Sequence, residues 1–253
     1  MTVPRILVIA GSDSGGGAGI QADIRTVTLL GGHAMTAITA ITAQNTMGVQ
    51  GVHAVPVDMV LQQMESVISD IGVDAVKIGM IGSAETAAAV ADRLAVLENV
   101  PIVFDPVMVA TSGSALADDA TIASFERLMA IATLITPNIP ELAALGGEEI
   151  AIRFGTHVLA KGGHAAGPML TDRLIGPHGV LKAWSNARID TQHSHGTGCT
   201  LASAIATGLG QGWDLVESIE RARKYVREAL RLAPGLGQGR GPMGSPFGFH
   251  AHA

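Results

Sequence analysis

The chain predicts an α/β fold: a mostly parallel central sheet with helices packed on both of its faces. Three observations carry that expectation. Short runs rich in β-branched residues alternate with longer segments of helical period along nearly the whole length, the pattern of repeated strand–helix units. The first run, Arg5-Ile6-Leu7-Val8-Ile9-Ala10, is apolar without interruption after its arginine, as a strand covered on both sides requires. The polar residues Asp13, Gln44, Asp105, Asn138 and Lys161 all fall at or just after run ends, on the rim where open α/β sheets bind their ligands.

Taken in order, residues 5–10 read as a buried strand that stops at a glycine-rich loop over 11–19, and a helix follows over 20–30. Residues 35–43 mix small, β-branched and threonine residues in a strand ending at Gln44-Asn45. The spacing predicts a helix over 57–69, a strand over 73–80, an alanine-rich helix over 84–97 and a strand over 101–104 that ends in Asp105-Pro106. Next come a helix over 118–130, a strand over 132–135 ending in Thr136-Pro137-Asn138, and a helix over 141–145 cut short by Gly146-Gly147. The strand over 157–160 ends in Lys161-Gly162-Gly163. Residues 169–184 differ, reading as a β-hairpin about the turn Gly176-Pro177-His178-Gly179. A turn over 193–200 opens the next helix, and an amphipathic helix follows over 214–232. No interior linker appears, so residues 1–233 read as one domain. The tail over 234–253, dominated by Gly, Pro and His, is expected to be loop or disordered.

Composition narrows the function. Hydrophobic residues make up 47% of the 253 but aromatics only 3%, so the core must be built from Ala, Val, Ile, Leu and Met. A formal net charge of −6 argues against a nucleic-acid partner, which would want a basic face. A single cysteine excludes a disulfide framework and a cysteine-based zinc site. The first apolar run is too short for a secretion signal and no stretch is long enough to span a bilayer. Those features predict a cytoplasmic protein without a membrane partner.

Two glycine-bearing segments carry the chemistry. The loop Gly11-Ser12-Asp13-Ser14-Gly15-Gly16-Gly17-Ala18-Gly19 lets backbone approach a ligand closely. It matches neither the dinucleotide fingerprint nor a Walker A loop, since Gly17 stands where the latter needs lysine. The second, His193-Ser194-His195-Gly196-Thr197-Gly198-Cys199-Thr200, is a tight turn opening a helix. Its backbone N–H groups and the helix dipole make an anion site suited to phosphate. The same helix end is expected to lower the pKa of the Cys199 thiol. The plain alternative is an ordinary helix start with a buried, inert cysteine.

Phosphoryl transfer needs a metal, a cation beside the phosphates, an anion hole and a group that handles the acceptor hydroxyl. The rim offers each. Asp105 and Glu141 are carboxylates for Mg²⁺, reached through waters because magnesium dehydrates reluctantly, and Asn138 lies beside them. Lys161, followed by Gly162, is a cation on a turn open to a nucleotide. Gly196, Thr197 and Gly198 form the anion hole, and Cys199 is the candidate base. Singly, Asp105 reads equally as a turn residue, Glu141 as a helix-start charge and Lys161 as a solvated lysine. Their meeting on one rim is what those plainer readings do not predict.

The same residues carry a family resemblance. The segments are residues 10–23, Ala43-Gln44-Asn45-Thr46-Met47-Gly48-Val49, Lys77-Ile78-Gly79-Met80, Asp105-Pro106-Val107-Met108, Thr136-Pro137-Asn138-Ile139-Pro140-Glu141, Lys161-Gly162-Gly163-His164 and His195-Gly196-Thr197-Gly198-Cys199-Thr200. In that order, over nearly the whole chain, they resemble the signatures of the hydroxymethylpyrimidine/phosphomethylpyrimidine kinases of thiamine biosynthesis. The resemblance implies a ribokinase-like, three-layer α/β/α fold and a homodimer. It implies phosphorylation of a pyrimidine alcohol and then of its monophosphate, with ATP as co-substrate and Mg²⁺ as cofactor. It places Gly11, Asp23, Gln44, Met80 and Val107 in the pyrimidine pocket, and Asn138, Glu141, Lys161 and Gly162 at the nucleotide and magnesium. Cys199 then stands where most ribokinase-like sugar kinases carry an aspartate base. Physical chemistry agrees for Gln44, whose carboxamide can give and receive hydrogen bonds on an aminopyrimidine edge. Asp23, one turn into the first helix, is expected to accept from the substrate hydroxyl or amine. The stretch from Leu145 to Thr156 is short for the family's helical connection, Gly241-Pro242-Met243-Gly244 replaces its closing Gly-Pro-x-His, and Ser14 stands where many relatives carry Pro-Ser or a similar pair.

Four other readings compete. A pyridoxal kinase would share the Gly-Thr-Gly-Cys turn, but pyridoxal lacks the exocyclic amine that suits Gln44. A cysteine-nucleophile hydrolase would use Cys199 with His195 as base, leaving Asp105, Glu141 and Lys161 without roles. A catalytically silent sensor leaves the same rim residues unexplained. A metal site at His193 and His195, or at His250 and His252, lacks an evident third ligand.

Overall fold

The computed structural model describes residues 2–110, 113, 115–164 and 167–246. Its strands are β1 (Arg5–Asp13), β2 (His33–Asn45), β3 (Gly48–Ala54), β4 (Ala75–Ile78), β5 (Ile102–Phe104), β6 (Leu134–Ile135), β7 (His157–Ala160), β8 (Met169–Gly176) and β9 (Gly179–Ala187). Its helices are α1 (Gly19–Leu29), α2 (Val57–Asp70), α3 (Ala84–Leu94), α4 (Asp119–Met129), α5 (Ile139–Ala144), α6 (Ile150–Phe154), α7 (Thr197–Gly210) and α8 (Leu215–Arg231). The strands form one 9-stranded sheet in the order β3-β2-β1-β4-β5-β6-β7-β8-β9. β1, β2 and β4 through β7 run parallel, while β3 and the β8–β9 hairpin are antiparallel edges.

The pleat of β1 divides the core into two layers. Ile6, Val8 and Ala10 pack on one face with Val27 of α1, Ile205 of α7 and Ile219 of α8. Leu7 and Ile9 pack on the other with Met64 of α2, Val90 of α3 and Leu128 of α4. Burying each of the larger side chains contributes about 2 kcal/mol, so this strand is anchored from both sides and its carboxyl end is held fixed. Phe104 and Phe125 meet edge to face with ring centroids 5.2 Å apart, the one aromatic pair in this aliphatic core among the described residues. Side chains of Ser83, Asp118, Asn138 and Asp214 cap α3, α4, α5 and α8, each accepting from a first-turn N–H as such residues do. α1 and α7 have no side-chain cap.

Departures from the sequence expectations have local causes. β3 is absent from the sequence reading because all of its residues are at least partly exposed, which erases the period-two signal of a one-sided strand. The strands expected over 73–80 and 132–135 pair only over Ala75–Ile78 and Leu134–Ile135. Residues 145–156 hold a 3₁₀ turn, Gly147–Glu149, and the single short helix α6. Residues 234–246 form no helix or strand and lie back across the rim. Gly239 N donates to Thr46 Oγ1 at 3.2 Å, while Arg240 N donates to Thr46 O at 3.0 Å and His195 N to Gly241 O at 3.2 Å. Met243 is buried there. Among the described residues no helix is long and apolar enough to cross a membrane.

Candidate active site

The rim begins at the carboxyl end of β1. Asp13 is buried and organises the glycine-rich loop: Oδ1 accepts from Gly15 N at 2.8 Å, and Oδ2 from Gly17 N at 3.1 Å and Ala18 N at 2.8 Å. Oδ2 also meets His195 Nε2 at 2.9 Å. Burial alone would raise the Asp13 pKa, but the hydrogen bonds from His195, Ala18 and Gly15 outweigh it and hold the carboxyl below its usual range. The loop and the turn into α7 thereby become one unit. Gly196 completes the join: its φ is +84°, and a Cβ there would collide with Gly17 O, so no other residue fits without strain.

Past Gly196 α7 has no side-chain cap, Thr197 N donating only back to Ser194 O at 3.4 Å, and open donors at a helix end are what an anion would satisfy. A Cβ at Gly198 would lie 3.3 Å from both Asp105 Oδ2 and Lys161 Nζ. The bare helix end thus faces a cation and a carboxylate directly. Lys161 Nζ donates to Asp105 Oδ1 at 2.9 Å, and Thr136 Oγ1 donates to the same oxygen at 3.0 Å. Burial works against the Lys161 ammonium, but Asp105 and Glu141 outweigh it and raise its pKa, so the lysine is charged.

Cys199 does not behave as the helix end alone predicts. Burial pushes its thiol up to about 11; Lys77 and the Gly19 N–H pull the other way, while Asp23 and Asp105 add to the rise. Desolvation of a thiolate outweighs the dipole here, so the expectation of a lowered thiol pKa is corrected. Beneath the thiol lies an ion pair absent from the sequence reading. Lys77 Nζ donates to Asp23 Oδ2 at 2.9 Å, and Ser203 Oγ of α7 donates to Asp23 Oδ1 at 2.7 Å.

At the start of α5, Asn138 and Glu141 form a capping box: Asn138 N donates to Glu141 Oε2 at 2.8 Å and Glu141 N to Asn138 Oδ1 at 2.9 Å. Asn138 also bridges to Lys161 in parallel register. The plain reading of Glu141 as a helix-start charge is therefore realised, but it is incomplete. Burial raises the Glu141 carboxyl to about 7, with Lys161 opposing and Asp105 adding to the rise. Gly162 N donates to Asp172 Oδ1 at 2.8 Å, and Arg223 of α8 holds the other oxygen of that carboxylate. No group of three or more His, Cys, Asp or Glu converges among the described residues. The pair Asp105 and Glu141 fits magnesium, which takes one or two protein carboxylates and completes its shell with phosphate oxygens and water. A buried acid held partly protonated beside another carboxylate is a group that a divalent cation would ionise.

The expected pocket residues fall into two groups. Gly11 and Met80 are adjacent, a Cβ at Gly11 lying 3.0 Å from Met80 Sδ. Gln44, at the end of β2, has its amide 3.2 Å from His195 Nε2. Val107 follows Asp105 on the same turn, its N–H donating to Asp105 O at 2.8 Å. Asp23 is different. It is fully buried, its Oδ2 accepting from Lys77 and its Oδ1 from Ser203. His195 Nε2 faces Asp13 and Gln44, no hydrogen bond joins it to Cys199 among the described residues, and the high thiol pKa removes the activated nucleophile a hydrolase needs. His250 and His252 lie outside the described residues. Lys77 left a signal that sequence reasoning passed over: a lysine inside a short strand whose other members are apolar. The Asp13–His195 contact left none, because it joins residues 182 positions apart.

Comparison with known proteins follows the same lines. A family model described as phosphomethylpyrimidine kinase matches residues 13–244. The hydroxymethylpyrimidine/phosphomethylpyrimidine kinase of Rhizobium meliloti is 48% identical over 254 residues, spanning 94% of this chain and 95% of that protein. Among solved structures, a Bacillus subtilis pyridoxal kinase in complex with ADP aligns with a TM-score of 0.89 at 30% identity, covering 97% of this chain and 98% of that one. The phosphomethylpyrimidine kinase of Clostridium difficile 630 aligns with a TM-score of 0.75 at 35% identity, covering 89% of this chain and 100% of that one. Longer proteins match as well: the chain spans 35% and 51% of the length of the thiamine biosynthesis proteins ThiED of Corynebacterium efficiens and Geobacter sulfurreducens.

Proposed function

Because the chain belongs to the phosphomethylpyrimidine kinase family, we propose that it transfers the γ-phosphoryl of ATP to 4-amino-5-hydroxymethyl-2-methylpyrimidine and then to the resulting monophosphate, in thiamine biosynthesis. The observation that carries this reading is the uncapped N-terminus of α7, set with Gly198 against the Lys161–Asp105 pair. Donors fixed before reaction and aimed at a transferring phosphoryl group are the largest source of rate in such chemistry. Gly196, Thr197 and Gly198 receive the phosphoryl oxygens, Lys161 neutralises them, and Asn138 and Gly162 seat the nucleotide. Asp105 and Glu141 would hold Mg²⁺, which when bound shields charge between the phosphates. Gly11, Gln44, Met80 and Val107 form the wall for the pyrimidine. Cys199, protonated at neutral pH in the ligand-free site, orients the acceptor hydroxyl. A loose transition state makes little demand for early removal of the proton.

Residues 1–233 serve as one catalytic domain, which works in the cytoplasm as a homodimer. Ile41 and Val52 on β2 and β3 are 53% and 52% exposed, and they support the pairing of two copies through that edge. A second reading, phosphorylation of pyridoxal, is favoured by the likeness to the Bacillus subtilis pyridoxal kinase; the Gln44 amide, suited to an aminopyrimidine edge, weighs against it. The test is ATP turnover with Mg²⁺, offering the pyrimidine alcohol, its monophosphate and pyridoxal separately. Turnover on both pyrimidines is expected. Turnover on pyridoxal alone would keep the kinase and overturn the substrate, and no turnover on any of the three would overturn both.

A further inference from the structure

The donor and acceptor roles around Gln44 do not balance as its amide stands. Gln44 Nε2 lies 3.2 Å from His195 Nε2, and Gln44 Oε1 lies 3.2 Å from Thr42 Oγ1. The same His195 nitrogen is 2.9 Å from Asp13 Oδ2, a carboxylate that can only accept, so Nε2 must carry the hydrogen. Two donors then face each other across the Gln44–His195 contact. At the other end, the Thr42 hydroxyl donates to Ser12 O at 2.9 Å and has no second hydrogen for Gln44 Oε1. Both conflicts vanish together if the amide is turned by 180° about its last bond. Oε1 then accepts from His195 Nε2–H, which is shared with Asp13, and Nε2 donates to the free lone pair of Thr42 Oγ1.

Building on the pyrimidine reading above, we infer that His195, held by Asp13 and by the backbone at Gly241 and Pro242, is a specificity-determining positioning residue that fixes which way round Gln44 presents its amide to the substrate. The position of His195 is itself secured. Its N–H donates to Gly241 O at 3.2 Å, and it forms an isolated bridge with Pro242. A Gln44 amide free to turn would offer either orientation at small cost. Fixed between His195 and Thr42, it keeps one free lone pair on the His195 side and one free N–H on the Thr42 side. An aminopyrimidine edge, with its exocyclic N–H donor beside a ring-nitrogen acceptor, matches that pair in one placement only: amine toward His195, ring nitrogen toward Thr42. That placement sets where the ring's hydroxymethyl group points. A ring with no such donor–acceptor edge gains nothing from the arrangement.

Two measurements test this. On the unmodified chain, ¹⁵N–¹H correlation of the imidazole at pH 7.5 is expected to show His195 with hydrogen on Nε2. A neutral ring with hydrogen only on Nδ1 would overturn the inference whatever the enzyme's activity. For the kinetic arm, His195→Phe removes the donor and His195→Gln restores an N–H at a similar reach. The KM for the pyrimidine alcohol is expected to rise about tenfold in His195→Phe and to recover largely in His195→Gln, with the KM for ATP unchanged, since one hydrogen bond in such a site is worth about that factor. Equal pyrimidine KM values in the wild type and both variants would refute the inference while leaving the kinase reading intact. Absence of pyrimidine turnover in the wild type would refute the kinase reading instead, with the imidazole spectrum still deciding the amide. If His195→Phe does not fold, Thr42→Val supplies the same loss of orientation from the other end of the amide.

Discussion

Lys77 and Asp23 form an ion pair of 2.9 Å in which neither side chain has any solvent exposure. Asp23 is tied by Ser203 to α7, the helix that presents the anion hole. Burial opposes the charge on both partners. For Lys77 the attraction of Asp23, Cys199 and Asp105 outweighs burial and raises its pKa, whereas for Asp23 burial prevails over Lys77 and its pKa is raised. A pair this dry seldom adds stability over a well-packed apolar pair. Its position under Cys199 gives it another use, as a fixed electrostatic floor for the thiol.

The floor predicts opposite effects from its two halves. Cys199 is the chain's one cysteine, so alkylation followed by mass spectrometry reports on it alone. The wild-type rate should climb toward a midpoint near pH 11. Lys77→Met should move that midpoint up and Asp23→Asn should move it down, because Lys77 lowers the thiol pKa and Asp23 raises it. Each variant should also lose about 3–5 kcal/mol of stability, the usual cost of leaving one buried charge alone. A shift of both midpoints in one direction would show only loosened packing.

Gly198→Ala tests the anion hole directly. The added methyl would press between Asp105 and Lys161 at 3.3 Å from each. Gly198 is the second residue of α7 and its φ lies outside the left-handed region, so alanine fits the backbone and thermal stability should change little, while kcat falls about 100-fold or more, a loss of the size seen when one donor of an oxyanion hole is removed. A variant with near wild-type kcat would move the phosphoryl site away from α7.

Glu141 makes stability depend on pH. Its carboxyl is raised from 4.5 to about 7 in the folded protein, so the folded state binds the extra proton between those values. The contribution to stability is fully present at pH below about 4.5 and is lost as pH rises through about 7. In metal-free buffer, Glu141→Gln should therefore gain in Tm relative to wild type at pH 8 and gain little at pH 5. The capping oxygen that receives Asn138 N is retained in glutamine. An unchanged difference in Tm at the two pH values would contradict the buried, proton-holding Glu141.

Removal of residues 235–253 should cut the contacts of the tail to Thr46 and His195. The expected result is a higher KM for the pyrimidine with the KM for ATP unchanged, measured by steady-state kinetics on a chain whose Tm is checked first. A pyrimidine KM unchanged from that of the intact chain would make the tail irrelevant to the pocket.

The fold was legible where burial imposes a period. β1, covered on both faces, reads as an unbroken apolar run, and the helices with polar caps at Ser83, Asp118 and Asp214 begin within a residue of where spacing puts them. β3 was not legible because exposure on both sides leaves no pattern. Within the site, local signals marked the turn over Gly196–Cys199 and the strand-end polar residues. The electrostatics of Cys199 were not legible, because a helix end is visible in sequence while the burial and the Asp23 and Asp105 charges around it are assembled from distant elements. The same holds for His195, whose partners Asp13 and Gln44 come from the far end of the chain.

The most direct test of the account is ³¹P NMR of the protein with the hydroxymethylpyrimidine and MgATP, followed through time. It should show a phosphomonoester of the pyrimidine first and then its diphosphate, with ADP formed in step and both products strongly reduced in Gly198→Ala. ADP and free phosphate with no phosphorus on the pyrimidine, or no consumption of ATP, would contradict phosphoryl transfer to the pyrimidine at this rim.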